Sequence, residues 1–237
     1  VILCCDTSTA NSVFAVGRPD GTLVASSTVF HGHNLSVRLF SDLDVVLAKA
    51  DIEFDQIDTL AVGLGPGSFT GVRVAVTTFR TLAQATGKRL IGIDTLSIFA
   101  HALAGSAAKN SAIIPVMQSR RGEVYAAVFV DGREERAPFA ATFAELEALL
   151  NDMRNRCDVV FTGIDGLLPD QFSSVTYVSA PAVPAESFLR LAAEALAAGR
   201  FANPFSLNPL YVVPPAVNQH KDPRTALRLA GLPQERV

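Results

Sequence analysis

Gly63-Leu64-Gly65-Pro66-Gly67-Ser68-Phe69-Thr70-Gly71, followed by Val72-Arg73, is the stretch of this chain best suited to chemistry. An apolar run, Leu60-Ala61-Val62, leads into it, and a helical pattern continues to about Thr86. Strand, glycine-rich turn and helix start together point backbone N–H groups at an anion. Gly65 and Gly67 can take positive φ, Pro66 fixes the φ between them, and Ser68 or Thr70 can cap the helix. No Gly-Lys-Ser/Thr closes the run, so it is not a P-loop, and the same spacing also suits a plain tight turn. Nearer the N-terminus, Asp6-Thr7-Ser8-Thr9 separates two strand-like runs. Its Asp and Thr either wrap a phosphate or bond the turn's own backbone. Ser68 lies outside any Gly-x-Ser-x-Gly elbow and has no marked His or Asp partner, so nothing supports a serine hydrolase. His31 and His33 share one side of a strand, but no nearby Cys or carboxylate completes a metal site. No catalytic residue and no metal ligand is assigned.

The elements that must position these residues follow from periodicity. Val1–Asp6, Val13–Arg18 and Thr22–Phe30 read as strands, with a turn at Pro19-Asp20-Gly21. From about His33 to Ala50 the period is helical, with Leu35, Leu39, Leu43, Val46, Leu47 and Ala50 on one stripe. Thr59–Leu64 and Arg89–Ile93 are strands on either side of the helix after the glycine run, and Asp94 or Thr95 caps a helix to about Ala104. Gly105–Ser111 is a plausible boundary. Beyond it lie a hairpin (Ala112–Gln118, a turn at Ser119–Gly122, Glu123–Asp131), a helix at Phe143–Leu150, strands at Asp158–Thr162 and Val175–Val178, and a helix at Pro184–Gly199. The expected division is 1–106, 107–213 and a Pro-containing tail at 214–237.

Composition narrows the function. The chain has 237 residues, 49% hydrophobic and 18% charged, with mean hydropathy +0.30, which excludes global disorder and leaves apolar surface for a partner. A net charge of −3 argues against this chain being a main nucleic-acid binder. Cys4, Cys5 and Cys157 form no disulfide framework, which suggests reducing cytoplasm. No apolar stretch is long enough to span a bilayer, and the opening Val-Ile-Leu-Cys-Cys has no basic leader. The chain begins abruptly in a strand, so an initiating residue is expected to be missing or replaced.

The wording of the motifs carries more than their spacing. Gly-Pro-Gly-Ser-Phe-Thr-Gly-Val-Arg, Cys5-Asp6-Thr7-Ser8-Thr9 and Arg120-Arg121-Gly122-Glu123-Val124-Tyr125 resemble the signatures of the TsaB (YeaZ) family, which works in making threonylcarbamoyladenosine on tRNA. Pro209-Leu210-Tyr211-Val212 resembles a late segment of that family more loosely. The likeness covers residues 1 to about 217. It implies an α/β, two-lobe actin/Hsp70/sugar-kinase-like fold with a degenerate active site. Asp6, Thr7, Ser8, Thr9, Gly65, Gly67 and Ser68 would then be vestigial phosphate contacts. Ser8 stands where the superfamily has Gly, Gln118 where the family often has Asp, and Phe161 near an expected glycine pair. The stretch Asp94–His101 lacks the His-x-x-x-His metal pair of the catalytic TsaD type. No tightly bound cofactor is therefore expected, with ATP or ADP only at an interface with the catalytic partner.

The two helices beside the glycine loop have more apolar surface than one sheet requires. Val37, Phe40 and Val45 on the first, and Val74, Thr78, Thr81 and Ala85 on the second, form extra faces, the latter of small residues suited to close helix approach. The alternative is that other helices of the chain cover them. Two readings follow. One is a non-catalytic scaffold that pairs with a TsaD-like subunit, with a TsaE-like ATPase in the full complex and tRNA as an indirect partner, or forms a homodimer when isolated. The other is an ATP-dependent phosphotransferase or ATPase acting alone, with Asp6 and the glycine loop at its centre.

Overall fold

The computed structural model describes residues 1–31, 34–119, 122–164 and 167–213. It contains two five-stranded mixed sheets. The first takes β1 (Ile2–Asp6), β2 (Asn11–Gly17), β3 (Leu23–Phe30), β4 (Thr59–Gly63) and β5 (Arg89–Ile93) in the order β3-β2-β1-β4-β5. The second takes β6 (Ser111–Gln118), β7 (Glu123–Val130), β8 (Arg133–Thr142), β9 (Asp158–Ile164) and β10 (Thr176–Ala180) in the order β10-β9-β6-β7-β8. Both orders describe one topology: an antiparallel three-strand meander, then two strands added parallel on the far side of the first. The two-lobe α/β architecture expected from the motifs is therefore present, and each lobe opens with the hairpin that the sequence predicts.

Period-two alternation decides which face each strand side chain joins. Leu3, Cys5, Phe14, Val16, Leu60 and Val62 pack beneath α1 (Leu35–Ala50) and α2 (Phe69–Thr86). Ile2, Cys4, Val13, Ala15 and Ala61 turn to the opposite face, where α3 (Thr95–Ala104) and α5 (Ala185–Ala197) lie. Ile113, Met117, Ala127 and Phe129 of the second sheet join that same cluster, so α3 and α5 are sandwiched between the sheets. Ala112, Ile114, Val116, Val124, Ala126 and Val128 face the remaining helix, α4 (Phe143–Arg154). Adjacent Cys4 and Cys5 thus enter different cores, and burial pushes both thiols up.

Helix ends agree with local chemistry. Ser68 caps α2, its Oγ accepting from Gly71 N at 3.2 Å, and Asp94 caps α3, accepting from Ser97 N at 2.8 Å. Thr142 and Glu145 form a reciprocal capping box at α4. β8 has no counterpart in the sequence reading. Arg133-Glu134-Glu135-Arg136 looks like a solvated loop, yet an edge strand can keep all four side chains in water while its backbone pairs with β7.

The late part of the chain returns to the first sheet. Phe188, Leu189 and Ala192 of α5 are fully buried against it. The segment that follows forms a strap: Ala202 N donates to Leu90 O at 2.7 Å, and Leu210 N to Leu64 O at 2.8 Å. Arg80 holds the strap through Nε to Pro204 O at 2.9 Å and Nη2 to Phe205 O at 2.8 Å. The tail at 214–237 lies outside the described residues. Because α5 covers one face of the first sheet, a fragment ending at residue 106 should expose Ile2, Cys4, Val13 and Ala15 and fail to fold. Amide NMR dispersion of that fragment is the check, and a well-dispersed monomeric spectrum would contradict this packing.

Candidate functional site

The two turns singled out in the sequence meet. Asp6 ends β1, and its Oδ1 accepts from Ser8 N at 2.8 Å and from Ser8 Oγ at 2.5 Å. Its Oδ2 accepts from Thr95 Oγ1 at 2.7 Å, which ties the turn to the start of α3. Thr7 Oγ1 donates to Gly71 O at 2.7 Å, and Ser68 N donates to Ser8 O at 2.7 Å. Thr95 N donates to Gly65 O at 2.8 Å. The β1–β2 turn is thus seated directly on the glycine loop.

This approach explains the glycines. Gly65 has φ +79°. A Cβ at Gly67 would strike the Ser8 carbonyl oxygen, one at Gly71 the Thr7 carbonyl oxygen, and one at Gly63 the Asp6 carboxylate. A phosphate cradle needs open N–H groups and a reachable carboxylate. Here the N–H groups of Ser68 and Gly71 are spent on Ser8 O and Ser68 Oγ, and Asp6 has no exposed surface. These two N–H groups are bonded within the turns, and the Asp6 carboxyl bonds the backbone of its own turn at Ser8 N.

Above the seated turns lies a cleft of about 650 Å³ between the lobes. Ser8, Thr9, Gly67, Ser68 and Phe69 line one wall, and Gln118, Ser119, Glu123 and Tyr125 the other. Asp6, Thr7 and Gly65 are not among its lining residues. Arg120 and Arg121 lie outside the described residues. Phe161, expected near this site, instead fills the second lobe's core against Phe172, with ring centroids 5.8 Å apart. At the loop's outer rim Arg73 sits over the Phe69 ring at 5.0 Å, and Tyr211 of the strap packs on Phe69 at 5.7 Å. Gln118, where the resemblance implies a second phosphate loop, does line the cleft, and Glu123 and Tyr125, to which the sequence assigns no site role, line it as well. The signal was present in the equal topology of the two halves, which brings both first hairpins to the same cleft.

The second group of residues lies on α1 and α2, away from the cleft. Val37 is 83% exposed, Phe40 57% and Val45 47%. On α2, Thr81 and Ala85 are exposed, whereas Val74 and Thr78 are half-buried and Val74 leans on the first core. The sequence reading missed Asp42, a buried carboxylate within the apolar stripe of α1. Arg38 Nη2 lies 3.5 Å from its Oδ1 and His31 Nε2 lies 3.5 Å from its Oδ2. Burial lowers the His31 pKa. His33 lies outside the described residues, so the His31–His33 pairing is not described. His101, read as a lone histidine, places Nε2 3.7 Å from Glu194 of α5. No group of three metal-ligating side chains occurs among the described residues, and none of their helices is long and apolar enough to cross a membrane.

Comparison with known proteins agrees with the motifs. Residues 31–193 match the family model described as TsaD, tRNA N6-adenosine threonylcarbamoyltransferase. The chain is 31% identical over 128 residues to the tRNA threonylcarbamoyladenosine biosynthesis protein TsaB of Bacillus subtilis, covering 54% of each chain. It is 32% identical over 126 residues to the TsaB protein of Escherichia coli, covering 52% of each. The matched region thus spans about half the length of these curated relatives. A Pseudomonas aeruginosa protein with similarity to peptidase YeaZ superposes with a TM-score of 0.71 at 22% identity, over 90% of this chain and 99% of that one. A second structure, YeaZ from the same organism, gives 0.68 at 22% identity, over 89% and 98%.

Burial is the largest influence on Asp6 and raises its pKa against the opposing bonds from Ser8 and Thr95. A carboxyl raised on folding adds stability when protonated, and that stability is lost as pH climbs through the raised value. Asp6→Asn keeps the shape and the acceptor for Ser8 while removing the charge. Urea unfolding across the acid-to-neutral range should show a shallower fall in stability with rising pH for Asp6→Asn than for the parent. The difference in slope is at most about 1.4 kcal/mol per pH unit. An unchanged slope would remove Asp6 as its source.

Proposed function

Because this chain belongs to the TsaB (YeaZ) family, within the TsaD-type model it matches, we propose that it is a non-catalytic scaffold subunit in the synthesis of N6-threonylcarbamoyladenosine on tRNA. The observation that carries the reading is the contrast between its two candidate sites. The loops that would hold a phosphate are closed on each other by Asp6, Thr7, Ser8 and Ser68. The outward faces of α1 and α2 stay open, with Val37, Phe40 and Val45 exposed on α1 and the small residues Thr81 and Ala85 exposed on α2. Apolar side chains flanking small ones let two helices approach closely. The occupant of that surface in this reading is the catalytic TsaD-type subunit, docked through the same kind of helix pair. This chain supplies orientation and rigidity; the partner supplies the chemistry. A TsaE-like ATPase and tRNA join the complex through that pair. Any ATP or ADP sits at the shared interface, not within this chain alone.

Reconstitution with a TsaD-type subunit, followed by a tRNA modification assay with and without this chain, tests the reading directly. Modification should require the chain, and the purified chain alone should not hydrolyse ATP. Robust ATP turnover by the isolated chain would favour the phosphotransferase reading.

Substitution separates the surface from the core. Thr81→Arg and Ala85→Arg should leave the thermal stability of the isolated chain nearly unchanged, because both positions are exposed. Each should weaken binding to the catalytic subunit by several kcal/mol where the charge is buried unpaired. Val74→Arg should lower both quantities, since Val74 also packs on the core. Unaltered affinity in the Thr81 and Ala85 variants, read by calorimetry, would move the interface elsewhere.

A further inference from the structure

The start of α1 lacks the device that closes α2, α3 and α4. Ser68, Asp94 and Thr142 cap those helices with their side chains, whereas Asn34 makes no side-chain cap bond and the first turn of α1 has no acidic residue. The junction before α1 takes over that task. His31 N donates to Ala10 O at 3.3 Å, and Asn34 N donates to His31 O at 3.0 Å. The backbone at His31 thus ties the β1–β2 turn to the start of α1. The His31 ring turns inward, with its side chain only 3% exposed, and its Nε2 lies 3.5 Å from Asp42 Oδ2, two turns along α1. Phe14 of β2 packs against the ring at 80°, with centroids 6.4 Å apart.

This pocket suits a neutral ring. Neither His31 nitrogen has a hydrogen-bond partner among the described residues, and neither does Asp42 Oδ2. An imidazolium carries a charge and two N–H donors. Asp42 Oδ2 is placed to take one of them, but Nδ1 has no acceptor among the described residues. Arg38 already draws on the same carboxylate, its Nη2 lying 3.5 Å from Asp42 Oδ1. A buried charge left partly unpaired is costly. β2, β3 and the turn at residues 7–10 carry no charged residue, so Asp42 and Arg38 of α1 are the charged groups that act on the ring among the described residues. Burial lowers the His31 pKa, Asp42 opposes that shift, Arg38 adds to it, and the net direction is down.

We propose that His31 and Asp42 form an acid-sensitive latch, in which the neutral imidazole seats the first turns of α1 on the first sheet and protonation of the ring releases them. A histidine lowered on folding supports the closed form above its ordinary value of 6.5, and that support is lost as pH falls below it. Asp6 has the opposite sign, so a global unfolding curve mixes the two and a local measurement is needed. The latch belongs to the isolated chain, and it and the scaffold reading can fail separately. Where that reading holds, the latch also governs whether Val37 and Phe40, in the first two turns of α1, are presented in acid.

Hydrogen exchange followed by NMR on the full chain, expressed as protection factors, tests the latch. From about pH 7.5 to about pH 5.5, protection in the first half of α1 should fall by up to roughly tenfold while β1 and β4 keep theirs. His31→Gln retains a donor but cannot titrate, so its α1 protection should not change over this range. Asp42→Asn removes the charge that favours the imidazolium and should deepen the acid loss. The imidazole carbon shifts of His31 in the unsubstituted chain should titrate below the ordinary histidine value. Protection of α1 that is flat with pH in the parent would overturn the proposal, as would a His31→Gln chain that keeps the parent's acid loss. So would a His31 that titrates at or above its ordinary value. The imidazole titration needs no substitution, so it decides the matter even where a variant folds poorly.

Discussion

One buried carboxylate fixes the geometry on which the rest of the cleft depends. Asp6 receives Ser8 N, Ser8 Oγ and Thr95 Oγ1, so a single side chain joins the end of β1, the β1–β2 turn and the start of α3. Thr95 N in turn bonds Gly65 O, and Ser8 O receives Ser68 N. The carboxylate is costly to bury and strongly bonded once buried, so its removal leaves unpaired donors in a dry site. The glycines follow from it: a β-carbon at Gly63, Gly67 or Gly71 would occupy space already held by Asp6, Ser8 or Thr7. A motif whose wording suggests phosphate contact is here the joint that locks the first sheet to its helices.

The second constraint is the sandwiching of α3 and α5 between the sheets. Phe188, Leu189 and Ala192 cover β1 and β2 from below while α3 reaches across to β6 and β7. Each sheet's inner face is thus covered by a helix from the other half of the chain, and the two helices pack on each other. The strap after α5 then runs over β5 and along α2 to Tyr211, which packs on Phe69 at the rim of the glycine loop.

The surfaces left open call for different physics. The α1–α2 face offers side chains only, so a partner there gains by burying apolar area and by close packing. The β3 edge instead presents backbone groups with no neighbouring strand among the described residues, and its bulge at Val24 interrupts that row. β8, with its row of charges, shows that the same fold can protect an edge.

Much was legible in the sequence. The strands of the first meander, the hairpin that opens the second lobe, the stripe of α1, the helix starts at Ser68 or Thr70 and Asp94 or Thr95, and the family motifs are local or periodic signals, and local sterics and capping enforce them whatever surrounds them. The exposed positions Val37, Phe40 and Val45 were legible as well, because a helix covering one sheet needs only one apolar stripe. β8 was not, since a charged edge strand obeys its neighbour's hydrogen bonds and not its own propensity. Asp42 within the α1 stripe was not, because the groups nearest its carboxylate include His31, which lies just after the preceding strand. Nor was the role of Asp6 or Phe161. Whether a carboxylate at a turn faces a ligand or its own backbone depends on what the fold brings against it, and Thr95 lies 89 residues away along the chain. Sequence alone determined every strand and α-helix but β8, their order and the family. Tertiary structure decided which polar groups were already spent, because hydrogen bonds between distant turns are made only when the sheets have folded.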